Sequence, residues 1–163
     1  MAKVLFINPV VREEGRPSHV PYGIALLAAI AMEKGHLVQV YDANAWRQPD
    51  NVLREILSAD DWDVVALGGI TTAYGSIKHI VPIAREVCGD ARIVLGGGVL
   101  TSLPNDVMRW LPDVDVGVIG EAFETFPELL AMIDAGGSDW HRIAGTLSRG
   151  PDGRLLYGPP RSL

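Results

Sequence analysis

Five short apolar runs, each followed by a segment with the composition of a helix, place the strongest constraint on the fold of this chain. The runs with the pattern of strands are residues 3–8, 37–41, 63–67, 92–95 and 116–119. The segments with the pattern of helices are residues 22–34, 50–58, 74–88, 105–111 and 125–135. Strands that alternate with helices join through right-handed crossovers, so the pattern predicts a parallel sheet covered by helices on both faces.

The number of these units favours the flavodoxin-like arrangement, a doubly wound five-stranded parallel α/β sheet with strand order 2-1-3-4-5. A C-terminal β-hairpin is predicted next, because Pro151-Asp152-Gly153 separates the apolar runs 146–149 and 154–157. We therefore expect an α/β domain over residues 1–140 and a hairpin with a linker over residues 141–163.

Composition is that of an ordinary soluble domain, with 163 residues, 48% hydrophobic, 21% charged and a formal net charge of −6. This charge gives no reason to expect nucleic acid or an anionic membrane as a partner. No basic-then-apolar stretch opens the sequence and no apolar run reaches membrane length, so we expect neither a leader peptide nor a membrane span. Cys88 is the single cysteine, so we expect a reducing cytoplasm and no iron–sulfur cluster held within these residues.

The loops after the predicted strands should share one edge of the sheet, where open α/β folds bind ligands. The first loop, residues 10–21, is longer than the roughly 2–6 residues usual for such connections. Three further loops, 68–75, 96–101 and 120–125, carry glycines that let the backbone approach a ligand closely. Three such loops on one edge favour a ligand-binding site over the alternative that the glycines only turn the chain between strand and helix.

The loops at this edge lack the sequence motifs of several well-known ligand-binding sites. The glycine fingerprint of dinucleotide-binding folds is replaced by Asn8-Pro9-Val10 after the first strand, and no phosphate-binding loop of the GxxxxGK type is present. A phospho-receiver domain needs acidic residues at the ends of the first and third strands, where this sequence has Asn8 and Gly68. No pair of His or Cys residues has the spacing of metal ligands. A stand-alone flavodoxin-like sensor or signalling domain, or a small nucleotide- or flavin-binding protein, stays open as an alternative.

Six fragments, in their order and spacing, carry a more specific signal. They are VLFINP at 4–9, PYGIALLAA at 21–29, GHLVQVYD at 35–42, GITT at 69–72, VLGGG at 94–98 and VIGEAFET at 118–125. With the closing hairpin at 145–157, they resemble the cobalamin-binding domain of cobalamin-dependent radical-SAM enzymes. One departure is that Ala122 and Phe123 interrupt the Gly-Glu-Gly-Glu that this family often shows after the fifth strand.

This resemblance implies that cobalamin lies across the strand ends, with its nucleotide tail inside the fold. Gly97 and Gly98 would make room for the tail, Thr71 and Thr72 would hydrogen-bond to the cofactor, and Tyr22 would flank the corrin. The full set of implied cofactor-binding residues is Tyr22, Val20, Gly69, Thr71, Thr72, Tyr74, Gly75, Gly97, Gly98, Val99, Gly120, Glu121 and Phe123.

The resemblance also implies a partner domain. A radical-SAM barrel in cis would hold a 4Fe-4S cluster and S-adenosylmethionine, and its CxxxCxxC motif is absent from these residues. The chain is therefore expected to be either a cobalamin-binding domain excised from a longer enzyme, which we favour, or a stand-alone cobalamin binder, and no catalysis is expected from it alone.

The cobalt ligand of other cobalamin domains has no counterpart in the expected place. In methyltransferases and mutases, a DxHxxG motif supplies a histidine to cobalt. Placing its glycine on Gly23 puts Ser18 at the aspartate and Val20 at the histidine, with His19 one residue off. No protein ligand to cobalt is therefore predicted, and His19 is expected not to serve as one.

Overall fold

The computed structural model describes residues 1–15, 17 and 21–161. Within these residues the centre of the fold is one sheet of seven strands in the order β2-β1-β3-β4-β5-β6-β7. The strands are β1 Lys3–Asn8, β2 Leu37–Asp42, β3 Val64–Gly68, β4 Arg92–Gly96, β5 Val116–Val118, β6 Thr146–Arg149 and β7 Leu155–Tyr157. The first five strands pair in parallel, which confirms the predicted flavodoxin-like order.

Seven α-helices and two short 3₁₀ turns connect the described strands. The helices are α1 Tyr22–Glu33, α2 Ala43–Trp46, α3 Asp50–Leu57, α4 Tyr74–Val87, α5 Gly98–Ser102, α6 Pro104–Trp110 and α7 Thr125–Asp134. The turns span Thr71–Ala73 and Trp140–Arg142. Helices α2 and α5 were not expected from the sequence, since they occupy short segments that had the composition of loops.

The strands β1, β3, β4 and β5 are buried on both faces, because their successive side chains point to opposite sides of the sheet and helices cover both sides. Leu5 and Ile7 of β1 belong to the core that α3, α4, α5 and α6 cover. Val4 and Phe6 of the same strand belong to the second core, which α1 and α7 cover. The short apolar runs of the sequence therefore correspond to strands that separate two cores.

The hairpin extends the same sheet by two antiparallel strands, which raises the strand number from the predicted five to seven. Gly117 of β5 pairs with Leu147 of β6, and Leu147 pairs with Tyr157 of β7. Because β7 runs parallel to β5, the chain returns to the carboxyl edge of the parallel strands. There the N–H of Gly145 donates to the carbonyl oxygen of Pro159 at 2.8 Å. Among the described residues, no helix has both the length and the apolar character needed to cross a bilayer.

Candidate ligand-binding site at the carboxyl edge

A cavity of about 790 Å³ opens at the carboxyl edge of the sheet and continues between the sheet and helices α1 and α7. Four neighbouring parallel strands, β1, β3, β4 and β5, contribute apolar side chains to the cavity wall that include Phe6, Ala66, Val94 and Val118. This volume is within the range of roughly 300–1,000 Å³ that is typical of sites for small molecules and cofactors.

The inner part of the cavity is an apolar slot, walled by α1 on one side and α7 on the other. Ile24 and Leu27 of α1 line the first wall, and Phe126 of α7 lines the second. The rings of Phe6 and Phe126 pack with centroids 5.2 Å apart at an interplanar angle of 46°. An aromatic or aliphatic group entering between these helices would exchange water for apolar side chains.

The mouth of the cavity is rimmed by backbone, because glycines follow β3, β4 and β5. Gly69, Gly97, Gly98 and Gly120 all line it. The N–H of Val99 donates to the carbonyl oxygen of Gly69 at 2.9 Å, so the loops after β3 and β4 are joined backbone to backbone. Since no side chain projects from these glycines, a ligand can approach the main chain directly.

The long loop after β1 forms another side of the mouth, through residues that include Val11, Arg12 and Glu14. Its first residues are held by two side chains from elsewhere in the chain. The N–H of Val10 donates to Ser76 Oγ at 3.0 Å, and the N–H of Val11 donates to Asn44 Oδ1 at 3.1 Å. This side of the cavity is therefore fixed by contacts that are distant in sequence.

Seven of the thirteen residues implied by the resemblance line the cavity: Tyr22, Gly69, Gly97, Gly98, Gly120, Glu121 and Phe123. Four others lie outside the lining but on the same edge. Thr71 and Thr72 are exposed on the 3₁₀ turn, Gly75 is exposed in the first turn of α4, and Tyr74 packs edge-on against Trp110 with centroids 5.7 Å apart.

Val99 differs from the other predicted site residues because, as a residue of α5, it is buried in the opposite core. Val20 and the neighbouring His19 lie outside the residues that the structure describes.

The cavity also includes residues that the sequence analysis did not select. These are Phe6, Asn8, Asn44, Arg47, Ile70 and Phe126, among others. Strand alternation could have placed Phe6 on the face opposite Leu5 and Ile7. No sequence signal indicates Asn44 or Arg47, because each meets the first loop more than 30 residues away.

The titratable groups with clearly shifted pKa values lie outside the cavity. Burial raises the pKa of the Tyr41 hydroxyl and of the Cys88 thiol. Within the described part of the chain, no group of three or more His, Cys, Asp and Glu residues is arranged to hold a metal ion.

Comparison with known families identifies the kind of domain. A family model described as the B12 binding domain matches residues 9–130, about three-quarters of the chain. The chain belongs to the B12-binding domain family. This assignment confirms the resemblance drawn from the sequence fragments.

Two relatives show how this B12-binding domain sits within longer proteins. An uncharacterized methyltransferase of Pyrococcus horikoshii is 31% identical over 143 residues, which are 88% of this chain and 30% of that protein. The anaerobic magnesium-protoporphyrin IX monomethyl ester cyclase of Rubrivivax gelatinosus is 28% identical over 163 residues, 96% of this chain and 29% of that protein. The domain thus spans less than a third of the length of these relatives.

Solved structures share the fold. The radical S-adenosylmethionine methyltransferase TsrM from Kitasatospora setae, solved with cobalamin and a 4Fe-4S cluster bound, superposes with a TM-score of 0.84 at 21% identity, covering 99% of this chain and 29% of that one. The cobalamin-dependent S-adenosylmethionine radical enzyme OxsB, with aqua-cobalamin and S-adenosylmethionine bound, gives a TM-score of 0.81 at 14% identity, covering 100% and 23%.

Proposed function

We propose that this B12-binding domain binds cobalamin in the cavity at the carboxyl edge and acts as the cobalamin module of a radical-SAM enzyme. The observation that carries the proposal is the shape of the cavity. A mouth rimmed by the backbone of Gly69, Gly97 and Gly120 leads into an apolar slot between the sheet and helices α1 and α7.

The residues present fit the two unlike parts of cobalamin. A corrin ring carries amide side chains that need hydrogen-bond donors and acceptors, and the exposed main chain and Thr71 and Thr72 hydroxyls offer both. The nucleotide tail ends in an apolar aromatic base, for which Phe6 and Phe126 provide an aromatic-lined slot. The thirteen residues named from the resemblance remain our proposed set, and Phe6, Ala66, Val94 and Phe126 are added to it.

The task of the chain in this proposal is to bind and orient the cofactor. When bound, cobalamin supplies the cobalt-centred chemistry of methyl transfer or of a related radical reaction. The apolar slot excludes water from the tail, and the first loop and the glycine rim fix the position of the ring relative to the sheet.

A radical-SAM barrel in cis is proposed as the partner that completes the enzyme. Two observations support it: the longer relatives include a methyltransferase, and the neighbouring structures are radical S-adenosylmethionine enzymes. The last described residues are also held at the carboxyl edge, where Arg161 pairs with Glu124 and Glu128 at the start of α7. In this proposal the barrel brings its own 4Fe-4S cluster and S-adenosylmethionine. A reducing cytoplasm suits the single free thiol of Cys88.

The test is a titration of the purified domain with hydroxocobalamin, followed by absorbance and by gel filtration. We expect cobalamin to co-elute with the protein and to show the spectrum of the form in which the base has left cobalt, because the slot takes up the tail. Flavin mononucleotide and ATP serve as competing ligands in parallel samples. Retention of either one in place of cobalamin, by protein with a folded circular dichroism spectrum, would support the alternative of a flavin- or nucleotide-binding protein and overturn the proposal.

A further inference from the structure

Arg47 has an unusual backbone conformation for its residue type. It follows helix α2 with φ 50° and ψ 39°, in the left-handed region. Among the described residues it is the one non-glycine residue with positive φ. Glycine adopts this conformation at helix ends without the steric penalty that a Cβ brings, so an arginine at this position needs another reason.

The guanidinium group of Arg47 bridges helix α2 and the long loop after β1. Its Nη2 donates to the carbonyl oxygen of Arg12 at 2.6 Å, and its Nη1 donates to that of Glu13 at 3.1 Å. On the other side its Nε donates to the carbonyl oxygen of Asn44 at 2.7 Å. The planar fork of an arginine can meet several carbonyls at once, which a lysine ammonium cannot do with the same geometry.

Asn44 strengthens the same bridge from a buried position. Its side chain is 4% exposed, and its Oδ1 accepts the N–H of Val11 at 3.1 Å. Three successive loop residues, 11 to 13, are therefore bonded to Asn44 or Arg47.

Helix α2 is itself anchored to the end of β1. Oδ1 of Asp42 accepts the N–H of Ala45 at 3.0 Å, which caps α2, and also accepts Asn8 Nδ2 at 2.8 Å. Asn8, Asn44 and Arg47 all line the cavity together with the loop residues Val11 and Arg12. The network thus connects the strand end, the short helix and the loop into one wall of the site.

We propose that Arg47 is a positioning residue that holds the loop after β1 in its binding conformation before cobalamin arrives. This inference rests on the proposed function. A loop ordered in advance does not have to be ordered on binding, so the free energy of binding is not spent on that step. Loss of the bridge should therefore weaken cobalamin binding without unfolding the domain.

The decisive variant is Arg47→Gly, since glycine suits the left-handed conformation while removing every guanidinium hydrogen bond. We expect its thermal unfolding midpoint to stay close to that of the parent, because relief of the left-handed strain at residue 47 offsets the exposed hydrogen bonds that are lost. We expect cobalamin affinity, measured by absorbance titration, to fall about tenfold or more, because the freed loop must then be ordered when the cofactor binds. Arg154→Gly, in the exposed hairpin turn, is the matched control and should leave affinity unchanged.

Limited trypsin cleavage after Arg12 in the cofactor-free domain supplies a second measurement. We expect faster cleavage at this bond in Arg47→Gly than in the parent or in Arg154→Gly, because the loop is no longer tied to α2. This measurement does not need cobalamin, so it separates failure of the positioning role from failure of the proposed function.

Arg47→Lys keeps the positive charge and keeps a side chain on the left-handed backbone position. It loses the planar guanidinium group that donates to several carbonyl oxygens at once. Affinity and cleavage rate between those of the parent and Arg47→Gly would support the proposal. Parental affinity and parental cleavage in both Arg47→Gly and Arg47→Lys would overturn it.

Discussion

The backbone of Gly97 lies so close to that of Gly69 that a Cβ on Gly97 would stand 2.8 Å from both the nitrogen and the oxygen of Gly69. Gly97 also has φ 81°, in the region that residues with side chains rarely adopt. At the neighbouring Gly98, the nearest atoms to a Cβ would be at 3.9 Å. The two glycines therefore differ: the protein's own packing requires the first, whereas the second leaves space at the mouth of the cavity.

Gly97→Ala should destabilise the domain by about 1–3 kcal/mol, because the methyl group meets fixed backbone and the left-handed conformation becomes strained. Urea unfolding followed by circular dichroism measures this change. An unfolding free energy equal to that of the parent would contradict the close approach of the two loops.

Gly98→Leu should leave the unfolding free energy within about 1 kcal/mol of the parent, since ordinary space surrounds the position and leucine favours helices. Its side chain would extend at the cavity mouth, so we expect cobalamin affinity to fall by at least about tenfold, or about 1.4 kcal/mol. Absorbance titration measures the affinity. Unchanged affinity in a folded protein would remove this loop from the binding site.

Ala66→Leu should fill part of the apolar slot from the floor of the sheet. Ala66 is 5% exposed and lines the cavity, so the longer side chain would extend into the slot. We expect a loss of cobalamin affinity with little change in thermal midpoint.

Ala84→Leu is the contrasting control for that variant, because Ala84 is fully buried in the opposite core. There, overpacking should cost about 1–3 kcal/mol of stability while the slot stays open. Equal effects of the two substitutions on stability and on binding would argue against a slot on the α1–α7 side.

His19→Ala should leave the electron paramagnetic spectrum of the cob(II)alamin-loaded domain unchanged. The expectation rests on the sequence alone, where Val20 occupies the ligand position of the DxHxxG motif, since both residues lie outside the described part of the chain. Nitrogen superhyperfine splitting that is present in the parent and lost in the variant would identify His19 as the cobalt ligand.

The Cys88 thiol should react slowly with iodoacetamide below its raised pKa. Burial raises the pKa of this thiol, with a smaller opposing effect from Arg85, and its Sγ donates to the carbonyl oxygen of Leu57 at 3.3 Å. Because the folded state retains the proton to higher pH than the unfolded state, this group stabilises the fold less as pH rises above the ordinary thiol range of about 8.5–9. Alkylation rates between pH 7 and pH 10, roughly spanning that range, test the reactivity, and urea midpoints over the same range test the stability. Alkylation of the folded domain as fast as that of the unfolded chain would contradict the first, and a urea midpoint that changes with pH as it does in Cys88→Ala would contradict the second.

The sequence by itself determined the order of strands and helices and the edge at which glycines gather. Runs such as 3–8 and 92–95 are local apolar patterns, and alternation with helices leaves few topologies for a parallel sheet. The glycines at 69, 97 and 120 could be placed on one edge for the same reason, because each follows a strand in the same orientation.

Only the tertiary structure decided which side chains complete the site. The slot depends on Phe6 of the first strand meeting Phe126 of the last helix, and the wall beside it depends on Arg47 reaching the carbonyl oxygens of residues 12 and 13. The hairpin likewise became part of the sheet through pairing of Gly117 with Leu147. Contacts between residues so distant in sequence arise from how whole elements pack, which no local period or propensity encodes.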